Sequence, residues 1–506
     1  MGNYIVGVDI GTTSTKALLY KENGEVVADH HIRYPLETPN PGTAEQDPEQ
    51  IFAAVVETIQ KVVKGSGVQP AEVSCVSFSS AMHSVIAMDR SGTPLTKCIT
   101  WADGRSAKWT EKIKSEWNGH EIYMRTGTPL HPMAPLSKLV WLRREHPDIF
   151  MVAAKFISIK EYVFYRLFGR YLIDYSMASG TGLFNLNELT WDMEALQVAG
   201  VSPEQLSEPV PTTFQVSGLR VNDARQLALL TETPFIVGAS DGMLSNLGMG
   251  AIDPGVIAVT IGTSAAVRTV VDRPIADPEG RIFCYALTEN HWVIGGASNN
   301  GGLILQWAVD QFGQAEKAKA QEEKRDPFDV FAETAQLAAP GSEGLLFFPY
   351  LTGERAPLWN AEAKGSYVGL RLQHGREQII RSTFEGIIFN LYAIIEVVEK
   401  LTGKTHKIHA TGGFARSPFW RQMLADIFDK EVIVPENYES SCLGAMVLGL
   451  YSLGKIDSLS AVNTMIGRSR HHLPNKEAAR RYHRIKPHYL RLAQSITKDS
   501  EALARL

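Results

Sequence analysis

Hydrophobic and polar residues follow two different periods along the first third of the chain. Short apolar runs rich in β-branched residues, typical of strands, occupy "YIVGVDIG" (4–11), "KALLYKENGEVVADHHI" (16–32) and "VSCVSFSS" (73–80). The second run contains "ENGE", which is a hairpin turn signal. Residues 47–65 place apolar residues at helical spacing instead, with Asp47 and Pro48 suited to a helix start and Gly65 to its end. This order predicts a mixed sheet with helices packed against it.

The same pattern restarts near residue 256. "VIAVTIGTSAAVRTVV" (256–271) repeats the strand, glycine turn and second strand of "GVDIGTTSTKALLY" (7–20). A repeat of this size predicts two similar α/β halves, which we assign to domains 1–248 and 249–506. Chance resemblance of two short glycine turns is the alternative interpretation.

Two other stretches have a clear polar pattern. "GQAEKAKAQEEKRDP" (313–327) has few large apolar residues and predicts a solvated helix end followed by a loop. Residues 475–506 have the pattern of an amphipathic helix with a charged surface.

The bulk composition is that of an ordinary globular protein. The 506 residues are enough for two or three domains, and 44% are hydrophobic and 21% charged. A net charge of −5 gives no reason to expect a nucleic acid or an anionic membrane as partner. No apolar run is long enough to span a bilayer, and the chain enters its first strand without a signal-peptide pattern.

The cysteines agree with a reducing compartment. Four are present, far apart and without a C-x-x-C pair: Cys75, Cys98, Cys284 and Cys442. They predict buried thiols of a cytoplasmic protein rather than a disulfide framework.

The opening turn has the chemistry of a phosphate site, although it matches neither the Walker A loop nor the dinucleotide fingerprint. Gly11 lets the backbone approach a ligand closely. The residues that follow it carry hydroxyls able to donate to phosphate oxygens: Thr12, Thr13, Ser14 and Thr15. Lys16 adds positive charge, whereas Asp9 would repel phosphate and can instead hold Mg²⁺ through waters. A tight hairpin without a ligand is the alternative.

The second copy lacks the acid. Thr260 stands where Asp9 stands in the first copy, so the magnesium role is assigned to Asp9 alone. Gly262 and Thr263 form the second turn, and Arg268 lies near the place of Lys16.

A third element follows at "IHATGGFARSPFWRQMLADIF" (408–428). It predicts a strand that ends at Gly412 and Gly413 and leads into a helix. Paired glycines there would let an adenine ring lie against the backbone. A plain strand-to-helix turn is the alternative.

These three elements, in this order, resemble the nucleotide site of the actin, hexokinase and heat-shock chaperone superfamily. Two segments, "MAPLSKLVWLRRE" (133–145) and "GSYVGLRLQHGREQIIRSTFE" (365–385), resemble the signature patterns of the FGGY carbohydrate kinases within it. The resemblance extends from Tyr4 to about Gly454. It implies an α/β fold of two actin/hexokinase-like (ribonuclease H-like) domains, with mixed sheets flanked by helices and the active site in the interdomain cleft. It also implies ATP and Mg²⁺ as cofactors, a sugar as small-molecule partner, and often a homodimer.

The resemblance further implies roles for single residues. Asp241, in "GASDGML" (238–244), matches the general base of the family, although a helix cap would be the default without that context. An aspartate of ordinary pKa, about 3.9, is ionised at pH 7, as a base must be. Gly302 and Gln306 match nucleotide contacts; Gln306 also suits a purely structural place on a helix.

Two loops match the family's sugar-binding segments. Met82 and His83 correspond to a pair placed at an open-chain polyol, and Trp101, Asp103 and Arg105 fit the W-x-D-x-R pattern that closes over the substrate. Without the resemblance, a core tryptophan, a surface ion pair and a hydrogen-bonded core histidine explain them equally well.

Several segments, "FSSAMHSVIA", "RTGTPLHPMAPLSKL" and "RIFCYALTENHWVIGG" among them, resemble family members that phosphorylate D-gluconate. A carboxylate needs a cation or several N–H donors. Lys138, Lys160 and Arg105 lie in segments shared with members whose sugars are neutral, so His131 is our hypothesis for the residue that binds the carboxylate.

Two other functions stay open at this point. One is a kinase for xylulose, another ketose or a polyol. The other is an ATP-driven switch protein of the chaperone or filament type. Glu354 and Arg355, in "FFPYLTGERAPLWN" (347–360), either pair to hold the domains or have a functional role.

Overall fold

The computed structural model describes residues 2–435 and 439–504. Contacts divide the chain into two compact units. Unit 1 comprises Met1–Ile252, Val271–Ile294 and Glu439–Ile466, and unit 2 comprises Asp253–Val270, Gly295–Tyr438 and Gly467–Leu506. The first break thus falls after Ile252, and unit 1 recruits two later segments; the domain ranges 1–248 and 249–506 stay a prediction.

The described strands are β1 (Tyr4–Ile10), β2 (Ser14–Lys21), β3 (Val26–Arg33), β4 (Glu45–Gln46), β5 (Val73–Ser80), β6 (Ile86–Met88), β7 (Cys98–Ile99), β8 (Lys155–Ile157), β9 (Leu172–Asp174), β10 (Phe184–Asn185), β11 (Thr190–Trp191), β12 (Glu208–Val210), β13 (Gln215–Val216), β14 (Phe235–Ser240), β15 (Val256–Ile261), β16 (Ala265–Val271), β17 (Phe283–Thr288), β18 (His291–Ser298), β19 (Leu346–Phe348), β20 (Ser366–Val368), β21 (Lys407–Thr411), β22 (Glu431–Pro435) and β23 (Ser469–His472).

The described α-helices are α1 (Pro48–Ser66), α2 (Ala107–Glu116), α3 (Gly119–Thr126), α4 (Pro135–Glu145), α5 (Pro147–Val152), α6 (Ile159–Phe168), α7 (Tyr175–Ser179), α8 (Met193–Ala199), α9 (Val221–Leu227), α10 (Asp241–Gly248), α11 (Gly302–Phe312), α12 (Gln314–Glu323), α13 (Pro327–Gln336), α14 (Arg376–Thr402), α15 (Pro418–Phe428), α16 (Ser440–Ser452) and α17 (Lys476–Ala504).

Unit 1 is built on a mixed sheet with the strand order β13-β14-β5-β1-β2-β3. β5 runs parallel to both β1 and β14, whereas β1 and β2 form an antiparallel hairpin. The predicted strand 73–80 is β5, and "ENGE" joins β2 to β3. These features confirm the predicted α/β class with a mixed sheet.

Helix α1 differs from the prediction at its end. Asp47 caps its start by accepting from the backbone N–H of Glu49, as expected. The helix continues through Gly65, and Gly67 is the C-cap, with a left-handed φ of 74°. The chain can leave the helix at Gly67 because glycine adopts this conformation without a Cβ clash.

Unit 2 repeats the central arrangement of unit 1. β15 pairs antiparallel with β16 and parallel with β21, as β1 pairs with β2 and β5. Two further strands, β22 and β23, extend the sheet beyond β21. The predicted internal repeat is therefore confirmed.

The register corrects one predicted correspondence. Lys16 pairs with Asp9 in the first hairpin, whereas Ala266 pairs with Thr260 in the second. Ala266, and not Arg268, therefore takes the place of Lys16. The reason is that the second turn is one residue shorter, which shifts every later position of the strand.

The polar stretch 313–327 also differs from the prediction. Most of it forms a separate, largely exposed helix, α12, rather than the end of α11. Helix α17 covers most of the predicted C-terminal helix, and residues 505 and 506 lie outside the described part. None of the described helices combines the length and the hydropathy needed to cross a membrane.

Candidate active site

Three parallel strands of unit 1 bring the predicted acids and the first sugar loop to one edge. Asp9 lies near the end of β1, opposite Ser79 of β5, and Ser79 lies opposite Ala239 of β14. Met82 follows the end of β5, and Asp241 follows the end of β14. The carboxyl ends of parallel strands meet at the same edge, which is where ligands bind in open α/β sheets.

Asp9 is electrostatically strained. The pKa of Asp9 is raised to about 6: burial raises it most, the carboxylates of Asp241 and Glu439 also raise it, and the hydrogen bond from Ser79 and the charge of Lys16 lower it. The hydroxyl of Ser79 donates to Asp9 Oδ1 over 2.6 Å. The site therefore favours either a proton or a cation at this carboxylate.

The first turn is held from behind. Gly11 N–H donates to the carbonyl of Ser14 (3.0 Å), and the Tyr34 hydroxyl donates to the carbonyl of Gly11 (2.7 Å). Thr15 is completely buried with its hydroxyl against Tyr34, so it does not share the exposed side of the turn with Thr13.

Thr12 connects this turn to the second sugar loop. Its hydroxyl accepts from Trp101 Nε1 over 2.9 Å, and its carbonyl accepts from the side-chain amide of Gln46 over 2.6 Å. Neither Tyr34 nor Gln46 was predicted from sequence, because both act through contacts between distant segments.

Lys16 already has a partner. Its Nζ lies 3.0 Å from both carboxylate oxygens of Glu439, immediately before α16. Both side chains are partly exposed, which keeps the net stabilisation of this pair small. A phosphate approaching Lys16 would therefore compete with Glu439.

Asp241 is the first residue of α10, with Ser240 as the N-cap. Asp241 Oδ1 accepts from the backbone N–H of Gly242 over 2.6 Å, and its side chain is partly exposed. Behind it, Lys160 Nζ forms a buried ion pair with Asp174 (2.6 Å) and donates to the carbonyl of Ala239 (3.2 Å). Lys160 is therefore occupied by protein partners.

Asp103 and Arg105 form a closed group. Asp103 is almost fully buried and accepts from the backbone N–H of Ala44 over 2.9 Å. Arg105 Nε donates to both oxygens of Asp103, its Nη2 bonds Glu45, and its guanidinium lies 4.4 Å from the ring centre of Trp141. Because the carboxylates of Asp103 and Glu45 already neutralise its positive charge, Arg105 is poorly suited to bind an acidic sugar.

His83 has an unusual backbone. Its φ of 69° is left-handed, which is uncommon for a residue with a Cβ and frequent at functional sites. Its Nδ1 lies 2.7 Å from the carbonyl of Gly180, so that nitrogen carries the proton. The ring also meets Tyr285 edge to face. Met82, beside it, is partly exposed.

The second turn is joined to a helix start within unit 2. Gly262 N–H donates to the carbonyl of Ser264 over 2.9 Å. The backbone N–H groups of Gly302 and Leu303, at the start of α11, donate to the carbonyls of Gly262 and Thr263. Thr263 itself is exposed.

A cavity of about 520 Å³ opens beside this turn, entirely within unit 2. It brings together five residues that the sequence analysis assigned to the nucleotide: Gly262, Thr263, Gly302, Gln306 and Gly413. The rest of its lining includes apolar and aromatic side chains: Leu303, Leu305, Phe328, Phe384, Phe414 and Trp420. Its size and lining suit a flat aromatic ligand with a polar end.

The paired glycines have different tasks. Gly412 has a φ of 107°, and a Cβ on it would lie 2.3 Å from the carbonyl oxygen of Ile261. Glycine is thus required for β21 to pass close to the second turn. A Cβ on Gly413 would meet no protein atom within 4 Å, so this glycine faces open space in the cavity.

Glu354 is a buried hub of unit 2. Its carboxylate accepts from the Ser298 hydroxyl (2.7 Å), the Asn300 amide (3.0 Å) and the Asn390 amide (2.5 Å). The guanidinium of Arg355 donates to the carbonyl of Ser298. Since Asn300 lies two residues before the start of α11, these contacts support a structural role for Glu354 beside the cavity.

His131 lies in the loop before α4, partly exposed, and its Nδ1 accepts from the backbone N–H of Met133 over 3.2 Å.

The described residues contain no group of three or more histidine, cysteine, aspartate or glutamate side chains arranged for a metal. A cation at Asp9 would therefore take most of its ligands from water and phosphate. This is the usual mode for Mg²⁺, which keeps several waters and adds one or two carboxylates and substrate phosphates. Carboxylates that can hold Mg²⁺ or accept a proton are among the parts that phosphoryl transfer needs.

Two family models match the chain. The N-terminal domain model of the FGGY family of carbohydrate kinases covers residues 4–248, and the C-terminal domain model covers residues 257–453. The gluconokinase of Bacillus subtilis (strain 168) is 54% identical over 505 residues, which are 100% of this chain and 98% of that protein.

Solved structures agree over the full length. The crystal structure of a gluconate kinase from Lactobacillus acidophilus matches with a TM-score of 0.94 at 38% identity, covering 99% of both chains. A ligand-bound xylulose kinase structure from the same species matches with a TM-score of 0.93, also at 38% identity and 99% coverage of both chains.

Proposed function

The chain belongs to the FGGY family of carbohydrate kinases, and we propose that it transfers the γ-phosphoryl group of ATP to D-gluconate. The products are 6-phospho-D-gluconate and ADP. The observation that carries the choice of sugar is the 54% identity, over the whole chain, to a gluconokinase.

The nucleotide base occupies the 520 Å³ cavity in this proposal. Gly413 lets the ring approach the backbone, and the aromatic lining excludes water from its faces. Gly412, Gly302 and Gln306 shape or line the site. Thr263 contacts phosphate oxygens through its N–H and hydroxyl groups, and Gly262 lets the backbone approach them closely.

The remaining phosphate contacts come from the first turn: Gly11, Thr12, Thr13, Ser14 and Lys16. Thr12 is pre-oriented, because Trp101 holds its hydroxyl and Gln46 holds its carbonyl. Lys16 exchanges Glu439 for phosphate when the nucleotide binds.

Asp9 fits a magnesium ion. A carboxylate whose pKa is raised by burial and by neighbouring acids is stabilised when a cation comes to it. Mg²⁺, when bound with the nucleotide, neutralises charge on the transferring phosphoryl group. The chain's own contribution is to hold the Asp9 oxygen in place through Ser79.

Asp241 is the general base of the proposed reaction. Its Oδ1 is fixed by the N–H of Gly242, and the carboxylate accepts the proton of the sugar hydroxyl that attacks phosphorus. Met82, His83 and Trp101 orient the sugar, and Asp103 and Arg105, held together by the hydrogen bonds from Arg105 Nε, belong to the same sugar loop.

The sugar carboxylate is bound by neutral or weakly charged donors. Lys160, Arg105 and Lys16 each contact protein carboxylates, which supports the choice of His131 for this task. Replacing His131 by Ala should reduce the preference for gluconate over xylulose, and an unchanged preference would remove His131 from this role.

A coupled ADP-release assay tests the substrate directly. The panel contains gluconate, xylulose, ribulose, glycerol and rhamnulose at equal concentrations. We expect kcat/KM for gluconate to exceed that for every other sugar by at least about tenfold, since a site matched to one acceptor loses ~1–3 kcal/mol per mispaired group.

A ketose kinase is the second candidate, because a structure described as xylulose kinase matches this chain as well as the gluconate kinase structure does. Faster turnover of xylulose than of gluconate would select it. The cytoplasmic location and the homodimer stay predictions.

A further inference from the structure

Lys138 is a completely buried lysine that belongs to neither candidate function so far. It lies in the first turns of α4, and its side chain has no exposed surface. Its Nζ donates to the carbonyl oxygens of His83 and Met133, each over 2.6 Å. Burial lowers the pKa of Lys138 to about 7, against the opposing attraction of the Asp103 carboxylate.

The two carbonyls belong to different sugar-facing loops. His83 follows β5, beside Met82, and Met133 lies two residues after His131 in the loop that leads into α4. Fifty-five positions separate Lys138 from His83, whereas only five separate it from Met133. One nitrogen therefore joins a distant loop to a local one.

The backbone at His83 needs this support. Its left-handed φ of 69° is costly for a residue with a side chain and persists only where the surroundings impose it. The ring is held by the carbonyl of Gly180, and the peptide carbonyl is held by Lys138. A lysine nitrogen suits the second contact because it offers up to three donors, and it keeps two of them even as a neutral amine.

We propose that Lys138 is a positioning residue that ties the loop of Met82 and His83 to the loop of His131 and Met133. The tie fixes the geometry of the sugar-facing side chains before substrate arrives. It does not touch the sugar and acts through these two carbonyls. The proposal rests on the proposed function for the identity of the sugar and for the place of the two loops beside it.

The first test compares Lys138→Met with Lys155→Met. Lys155 is the control, because it is a lysine of unit 1 that, like Lys138, donates to a backbone carbonyl, that of Leu206 over 2.8 Å, although it is only partly buried. We expect Lys138→Met to raise KM for gluconate by at least tenfold while KM for ATP changes less than twofold. Lys155→Met should leave both values within twofold. Equal changes of the two KM values in Lys138→Met, or no change, would overturn the proposal.

Hydrogen exchange gives a second readout that needs no substrate. In Lys138→Met, the amides of residues 82–85 and 131–134 should exchange at least tenfold faster than in the wild-type chain. Those of residues 261–264 and 411–414 should keep their rates. Uniform acceleration would indicate general destabilisation, and unchanged loops would show that Lys138 does not hold them; either result contradicts the tie.

The two tests separate this proposal from the proposed function. If gluconate is not the substrate, the KM comparison is made with the sugar that the panel selects, and the exchange result stands by itself.

Discussion

Asp9 lowers the stability of the folded protein when its carboxyl group is ionised. Its folded pKa of about 6 lies above the unfolded value of 3.8, so the folded state binds its proton more tightly than the unfolded state. Ionising Asp9 therefore costs stability, and the cost grows as the pH rises from about 4 to above 6. A bound cation would remove that cost.

Replacing Asp9 by Asn should thus stabilise the metal-free protein at pH 8. We expect a gain of about 1–3 kcal/mol in the free energy of unfolding, because the charge beside Asp241 is gone and Ser79 can still donate to the amide oxygen. The gain should shrink below pH 6 and vanish near pH 4, as urea titrations with chelator present would measure. A variant less stable than wild type at pH 8 would contradict the electrostatic strain.

Asp241 can be tested by its effect on turnover. Asp241→Asn keeps the shape and the contact from Gly242 but cannot accept a proton at neutral pH. We expect kcat to fall by roughly 10²–10⁴, with ADP affinity nearly unchanged. Asp223→Asn, which removes a surface ion pair with Arg220, serves as the control and should keep kcat. Near-normal turnover in Asp241→Asn would remove it from the role of base.

The residue types of this site were predictable where chemistry requires them. Carboxylates at strand ends and glycines in turns stand out in a sequence, so Asp9, Gly262 and Gly412 were proposed from their patterns and Asp241 from the family resemblance; their roles stay predictions. Glu439 could not, because it lies 423 positions from Lys16 and pairs with it only through the fold.

At the scale of elements, the two glycines that follow β21 allow a structural role and a binding role to be tested separately. Gly412 is left-handed and packs against the carbonyl of Ile261, whereas Gly413 faces open space. We expect Gly412→Ala to destabilise the protein by about 1–3 kcal/mol through strain and the 2.3 Å clash.

Gly413→Ala is the matched variant. It should leave the melting temperature nearly unchanged but weaken ADP binding by at least tenfold, since its methyl group enters the cavity. Calorimetry of melting and of ADP binding measures both variants. Tight ADP binding by Gly413→Ala would show that the nucleotide does not approach this glycine.

Element existence was easier to predict than element boundaries and correspondences. The strand 73–80 has a strong apolar run between polar neighbours, and its bounds were predicted correctly. Helix α1 passes through the predicted stop at Gly65 and ends at Gly67, where the chain turns left-handed; sequence does not say which of two nearby glycines makes that turn. The place of Lys16 in the repeat was likewise missed through a one-residue difference in turn length.

For the whole molecule, the sequence predicted the two-fold repeat but not the path of the chain through it. Unit 1 is assembled from three separate segments, 1–252, 271–294 and 439–466. Local sequence patterns do not predict that later segments pack back into unit 1. Helix α16, for example, is apolar on nearly every side and would suit any buried position.

Helix α16 packs against β1 and β5, the strands of unit 1 that lie near the start of the chain. A Cβ on Gly7 would lie 2.5 Å from the carbonyl oxygen of Cys442, and one on Gly449 would lie 3.1 Å from Cys75 Sγ. Strand β1 leaves the ribosome more than 400 residues before this helix is made. Stalled chains that end before residue 439 should therefore remain protease-sensitive in residues 1–80, and early protection there would contradict this.

At a synthesis rate of about 5–20 residues per second, roughly 20–90 s pass between the synthesis of β1 and β5 and that of α16, the helix that packs on them. During that time the apolar sheet face that α16 later covers is exposed on the nascent chain. Because this close packing requires α16, unit 1 cannot complete its folding until that helix has been synthesised.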